Sequence, residues 1–254
     1  MKISIITIAK NEELHIYETL FSIAQQNYSN FECIIIDGNS TDKTSEIIKN
    51  FIIKDTRFKS FLQKSIGISN AFNEGIEKAH GDSILFINAG DKLKNEKSLN
   101  ILANFAEKNI DCLICCKTEY INNESKPLGI FFPTSAKLEE KLLWSCILSH
   151  QSTLIPMHAF KKLGSYSPCF KIAMDYDFWL RCLKNNYKFK LFSDVVSEHR
   201  VGGISFTQLS RSRLEVIIAR WFNLPFARMS IFKDFIQLII IILSELKNKT
   251  LKSK

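Results

Sequence analysis

The stretch Ile34-Ile35-Ile36-Asp37-Gly38-Asn39-Ser40-Thr41-Asp42-Lys43-Thr44 decides the fold. Cys33 to Ile36 are all β-branched or sulfur-bearing, with no polar residue alternating among them, the pattern of a strand covered on both faces. The run then breaks into carboxylates, hydroxyls and a glycine. In an open α/β sheet that kind of strand end is where ligands bind. Ser40, Thr41 and Asp42 are placed to cap a following helix that carries Ile47 and Ile48. A capped turn in any α/β protein shows the same residues, so its function must be read from the rest of the chain.

Outward from this loop, the first 120 residues alternate strand and helix. Strands are predicted at Ile3–Ile8, Cys33–Ile36, Phe58–Leu62 and Ser83–Ile87, and helices at Leu14–Gln25, Lys43–Phe51 and Ile68–Ala79. That order predicts a mostly parallel, Rossmann-like doubly wound sheet flanked by helices. Each strand ends in polar residues: Thr7 to Asn11, Asp37 to Asp42, Gln63 to Gly67, and Asn88 to Asp91. Parallel strands bring all four ends to one edge, so four loops distant in sequence converge on one crevice.

Composition bounds the alternatives. With 254 residues, 46% of them hydrophobic, the chain suits one large domain or a domain with an extension. The apolar run Ile3 to Ile8 is too short for a secretory signal and is followed at once by Lys10, Glu12 and Glu13, which leads us to expect a cytoplasmic protein. The odd number of cysteines, seven, with Cys112, Cys115 and Cys116 in one apolar run, suits buried reduced thiols better than disulfides; zinc would need a second ligand pair. Of the net charge of +8, the chain from Leu209 onward supplies +6, from nine basic and three acidic residues. No nucleic-acid motif accompanies this charge, and no nucleic-acid partner is expected.

Five segments occur in order: Ser4-Ile5-Ile6-Thr7-Ile8-Ala9-Lys10-Asn11-Glu12, the Asp37–Asp42 loop, Gly67-Ile68-Ser69-Asn70-Ala71-Phe72-Asn73-Glu74-Gly75, Phe86-Ile87-Asn88-Ala89-Gly90-Asp91, and Asp175-Tyr176-Asp177-Phe178-Trp179-Leu180-Arg181. Together they resemble family 2 glycosyltransferases of the GT-A fold. Within that family the chain is most similar to the bacterial exopolysaccharide and lipopolysaccharide transferases with Asn-Ala-Gly-Asp in place of Asp-x-Asp. The resemblance fades after about Ser205. It implies a GT-A catalytic domain over 1–205, with a nucleotide-sugar part to about 120 and an acceptor part over 121–205, followed by a basic amphipathic helical tail over 206–254.

The resemblance also implies roles. Asp175 falls at the position of the base in an inverting transfer, where a carboxylate deprotonates the acceptor hydroxyl; its other reading is a carboxylate that caps the helix. Asp177, two residues on, points elsewhere on a helix and suits a pairing with Arg181. Asp37 falls where the family's nucleobase is read, with Thr7 and Ala9 lining the other side; Asn11, Glu12, Asn39 and Asn88 join the nucleotide site. Lys64 is either a phosphate contact or a solvated lysine, and Ser65 replaces an acidic residue frequent in relatives. Asp91 is the only carboxylate of the metal motif, implying a weakly bound Mn²⁺ or Mg²⁺.

Other residues carry two readings each. His150-Gln151 faces the acceptor or is a hydrogen-bonded pair at a strand end. His199-Arg200, before Gly202-Gly203, lies in a loop that folds over the diphosphate or in an exposed one. Trp144 and Trp179 stack on a sugar or pack in the core. In the tail, Ile217, Ile218, Trp221, Phe222, Leu224 and Phe226 form one apolar cluster among Arg213, Arg220 and Arg228, and Phe235 to Leu243 form a second. Both are too short to span a bilayer. They suit an interfacial helix on anionic lipid, or packing against the domain or a second subunit. The expected activity is transfer of a hexose or N-acetylhexosamine from a UDP-type donor to a lipid-linked saccharide at the inner face of the plasma membrane. A degenerate saccharide-binding or scaffold protein is the rival, and a pyrophosphorylase is disfavoured because Ala9-Lys10-Asn11-Glu12 is not its glycine-rich phosphate loop.

Overall fold

The computed structural model describes residues 1–132 and 137–224, together with 234, 236 and 238–243. In chain order the first part runs β1 (Ile3–Ala9), α1 (Ile16–Ala24), β2 (Phe31–Asp37), α2 (Thr44–Lys54), β3 (Phe58–Leu62), α3 (Ile68–Lys78), β4 (Ser83–Phe86), β5 (Lys92–Leu93) and α4 (Ser98–Lys108). The second part runs β6 (Cys112–Ile121), β7 (Pro127–Phe131), α5 (Leu138–Leu142), a 3₁₀ turn at His150–Ser152, β8 (Thr153–Pro156), α6 (Met157–Leu163), α7 (Met174–Lys184), β9 (Lys188–Arg200), α8 (Ile204–Thr207) and α9 (Leu209–Asn223). The expected α/β class holds.

One sheet runs in the order β3-β2-β1-β4-β8-β6-β9-β5, with β7 beside β6. The first four strands are parallel, as their connecting helices require. Beyond β4 the sheet is mixed: β8 is antiparallel to β4 and to β6, whereas β6 and β9 are parallel. Two antiparallel steps restore the original direction, so the C-terminal ends of β6 and β9 reach the same edge as those of β1 to β4. The sheet continues across residue 120, inside β6, where the nucleotide and acceptor parts were expected to divide.

Alternation puts successive strand residues on opposite faces. Ile5, Ile35, Leu85 and Ile114 pack under α1, α2 and α4, whereas Ile6, Ile84 and Leu113 pack under α3, α6 and α7. β2 is buried along its whole length, as its unbroken apolar run predicts. Asp42 accepts the Thr44 N–H at 3.0 Å and Glu13 accepts the Lys43 N–H at 3.0 Å, so the expected cap of α2 is shared between two loops. All seven cysteines are free, with Cys33, Cys115, Cys116 and Cys182 buried.

The tail divides differently from the expectation. Val216 and Ala219 of α9 are buried in the same cluster as Trp179, so the packed core continues past Ser205 into α9. Trp179 is a core residue, and the Arg220 guanidinium lies over the Trp144 ring at 5.3 Å. Phe226 and Arg228 of the expected tail clusters lie outside the described residues.

Candidate active site

A cavity of about 880 Å³ opens at the C-terminal edge of the sheet, walled by the ends of β1, β2 and β4, the 63–68 loop, the 3₁₀ turn, the segment before α7 and α8. Its position follows from topology: parallel strands end there, and Ala9, Asp37 and Leu62 are in register at the rim.

Asp175 sits in the first turn of α7 and borders this cavity. Its Oδ1 accepts the Tyr176 N–H at 2.7 Å. Burial pushes its pKa up to about 7, against the opposing pull of backbone hydrogen bonds from Tyr176 and its own N–H. A carboxylate held near neutrality is suited to accept a proton in a transition state. Asp177 faces away. It accepts from Arg181 Nε at 3.0 Å and Asn223 Nδ2 at 2.8 Å, the structural pairing its spacing predicts.

Of the residues assigned to the nucleotide, Ala9, Glu12, Asn39, Lys64 and Asn88 border the cavity. Thr7, Asn11 and Asp37 do not border it. Thr7 is wholly buried in β1, and Asn11 Oδ1 accepts the Thr41 N–H at 2.8 Å, tying the β1 loop to the β2 loop. The Asp37 carboxylate accepts from Ser40 N (2.9 Å), Ser40 Oγ (2.7 Å) and Ser45 Oγ, and so holds the loop's shape from within. Lys10, Gln63 and Tyr120 also border the cavity and were not singled out from sequence. The first two are marked only by their positions, Lys10 between Ala9 and Asn11 and Gln63 one residue past β3. Tyr120 carries no such signal.

The corner around Asp91 is a cluster of polar side chains. Asn88 Nδ2 faces His150 Nε2 at 3.3 Å, Gln151 Nε2 donates to Asp91 Oδ2 at 3.2 Å, and His199 Nε2 lies 4.0 Å from Asp91 Oδ1. His150, Gln151 and His199 border the cavity; Asp91 lies behind them, 4% exposed, with Oδ1 accepting the Arg200 N–H at 3.1 Å. Burial raises the Asp91 pKa, opposed by His199 and Arg200. Burial, with His199 nearby, pushes His150 down to about 3, leaving it neutral.

His199-Arg200 closes β9 and lies in neither an exposed loop nor a mobile flap. The buried Arg200 guanidinium donates to the carbonyls of Gly90, Asn122 and Asn123 and pairs with Glu18 at 3.0 Å. With its donors committed to the fold and its side chain off the cavity, it braces the corner from outside.

Three buried polar atoms along this wall have no partner: Asn88 Oδ1, His150 Nδ1 and His199 Nδ1. Such atoms in a folded interior call for an explanation such as a ligand or ion. Glu12, on the same cavity, has its pKa raised by burial and by the charges of Asp91 and Asp42, so the corner carries excess negative potential. Among the described residues no three His, Cys, Asp or Glu side chains are grouped to hold a metal by themselves. Asn88 Oδ1 and His199 would be the protein's donors to a divalent cation here, with Asp91 as the charge behind them and a ligand's phosphates supplying the rest.

Residues 4–163 match the profile described as glycosyl transferase family 2. The chain belongs to this family. A Haemophilus influenzae protein named an uncharacterized glycosyltransferase is 34% identical over 89% of this chain and 88% of its own. A Mycobacterium bovis PGL/p-HBAD biosynthesis glycosyltransferase is 27% identical over 77% of this chain and 76% of its own. Among solved structures, S. aureus TarS 1-349 in complex with UDP superposes with a TM-score of 0.70 at 22% identity, over 88% of this chain and 65% of that one. The Pyrobaculum calidifontis mannosyltransferase PcManGT, in complex with GDP-Man and Mn²⁺, gives 0.64 at 14% identity, over 97% of this chain and 79% of that one. These likenesses identify the fold as GT-A.

Proposed function

We propose that this family 2 glycosyltransferase is an inverting hexosyl- or N-acetylhexosaminyltransferase that uses a UDP-linked donor and a lipid-linked saccharide acceptor in cell-surface polysaccharide synthesis. The observation that carries this reading is Asp175, with its pKa near 7, bordering the cavity whose opposite wall is made of the sheet's strand-end loops. The acceptor hydroxyl gives its proton to the Asp175 carboxylate as its oxygen bonds the anomeric carbon. The bond from that carbon to the phosphate oxygen breaks on the opposite face, and the nucleoside diphosphate leaves with the electron pair. A divalent cation, when bound, neutralises charge on that leaving group. Asn88 and His199 would hold it, and Gln151 and Arg200 fix Asp91 behind them. Support for the donor comes from TarS, whose complexes contain UDP and UDP-GlcNAc.

For the membrane, support comes from charge and exposure. Ile239, Ile240, Ile242 and Leu243 are 40–59% exposed, and the chain after Leu224 carries six basic and two acidic residues, a net charge of +4. Among the described residues no helix is long and apolar enough to cross a bilayer; the attachment we propose is interfacial, at the inner face of the plasma membrane.

The deciding experiment measures UDP release from a panel of UDP-sugars with detergent-solubilised lipid acceptor. Donor- and acceptor-dependent release that is lost in Asp175→Asn is expected. Saccharide binding without release by any donor would favour the degenerate, non-catalytic reading suggested by the single carboxylate at Asp91.

A further inference from the structure

α7, which carries Asp175, has Ala173 at its N-cap with no capping side chain; Asp175 itself accepts the Tyr176 N–H in the first turn, and no neighbour in sequence accepts the amides just before the helix. The acceptor is Glu215, in α9 and 40 residues further along the chain. Glu215 Oε2 accepts the N–H groups of Lys171 (2.9 Å), Ile172 (2.7 Å) and Ala173 (3.1 Å), and Oε1 accepts Arg211 Nε at 2.9 Å. The side chain is only 6% exposed. Burial alone would lift its pKa, but Arg211 and the amides hold it below the usual carboxylate range, so it is charged at neutral pH. Two helical turns on, Asn223 Nδ2 donates to Asp177 Oδ1 at 2.8 Å. α9 thus grips α7 on both sides of Asp175, and the segment Lys171 to Asp175 forms a continuous part of the cavity wall.

We infer that Glu215 is a positioning residue for sugar transfer: its carboxylate gathers the three amides before α7 and so sets where the Asp175 carboxylate meets the acceptor hydroxyl. The inference rests on Asp175 being the base. Glu215 touches neither substrate nor reacting atom and acts through the peptide groups it binds. Displacing a reacting group by about 1 Å can lower a rate by about 10²-fold.

The test compares Glu215→Ala, Glu215→Gln and Arg211→Ala in the full-length protein, measuring kcat, donor KM and the pH profile. Glu215→Ala should lower kcat by about 10- to 100-fold and leave donor KM within about twofold, because the donor wall at the ends of β1, β2 and β4 is untouched. Glu215→Gln, whose amide oxygen accepts the same three N–H groups, should recover most of the rate. Arg211→Ala should stay close to wild type. The acid limb of the pH profile should persist in all three, since Asp175 remains. Should Glu215→Ala fail to fold, Glu215→Asp carries the same expectation, as it keeps the charge and shortens the reach by one methylene. Wild-type kcat in Glu215→Ala or Glu215→Asp, a Gln variant no better than Ala, or parallel losses of kcat and donor affinity would overturn the inference. Asp175→Asn in the same assay keeps the two readings apart. If it stays active, the base assignment fails; if it is inactive while the Glu215 variants turn over normally, only the positioning role fails.

Discussion

Replacing Asp175 by Asn tests the chemistry and the electrostatics together. Asn is nearly isosteric and keeps an oxygen to accept the Tyr176 N–H, but it cannot take a proton. Loss of a general base lowers turnover by about 10²- to 10⁴-fold. In the wild type, with the carboxyl at about 7, kcat/KM should rise about tenfold per pH unit below 7 and level off above it. That limb should vanish in the variant. Stability moves the other way. A carboxyl lifted from the ordinary aspartate value to about 7 binds its proton more tightly when folded, so its contribution is present below about pH 4 and is lost as pH rises through 7. At about 1.4 kcal/mol per pH decade the full-burial figure is about 4 kcal/mol, and contact with cavity water reduces it to about 2 kcal/mol. Asp175→Asn should therefore melt about 4–8 °C higher than wild type at pH 8 and at about the same temperature at pH 4. Rates within a few-fold of wild type, or a lower melting temperature at pH 8, would refute the assignment.

Asp37→Ala frees three donors in the β2 loop and should weaken UDP binding, read by calorimetry, by about 1.5–3 kcal/mol; an unchanged Kd in a folded variant would mean that the loop is not shaped for the base. EDTA should lower turnover and Mn²⁺ restore it, with Asp91→Ala also impaired; equal rates in EDTA and Mn²⁺ would exclude a cation from the corner around Asp91. Gly75→Ala sets a methyl 2.5 Å from Ile6 Cγ2, where α3 crosses β1, and should destabilise the fold by about 1–3 kcal/mol in thermal unfolding; an unchanged melting temperature would contradict that packing. Replacing Lys247, Lys249, Lys252 and Lys254 by Gln keeps α9 and its Arg220–Asp234 ion pair, so the variant should still fold and bind UDP but float less with anionic vesicles; flotation equal to wild type, or none by wild type, would remove the membrane role of the last residues.

The cavity wall formed by the ends of β1, β2 and β4 was legible because its signals are local. The unbroken run from Cys33 to Ile36 has to be buried, and the polar residues after it have to lie at a strand end. The Asp177–Arg181 pair was readable from helical spacing, and the place of Asp175 at the start of a helix from the family motif. The second half was not, because its organisation is non-local. Nothing near Thr153–Pro156 states that this strand will run antiparallel between β4 and β6. Arg200 reads as part of a closing or exposed loop until Gly90, Asn122, Asn123 and Glu18 gather around it. Asp91 and Asp37 read as ligand contacts because composition reveals a carboxylate but not what already occupies its oxygens. Glu215 lies beyond the conspicuous motifs, and only the tertiary fold joins it to α7.

The position of β8 bears on how the chain is made. β1 to β4 are complete by residue 86, but the free side of β4 is covered only when Thr153–Pro156 arrives, and β5 waits for β9 to close the opposite end of the sheet. During synthesis the half-built sheet therefore presents an unpaired strand edge flanked by Ile84 and Phe86 for some seventy residues of elongation. Such an edge is a template for intermolecular pairing. Ribosomal pausing between residues 90 and 150 should consequently promote aggregation, whereas the same pause after β9 has emerged should be harmless.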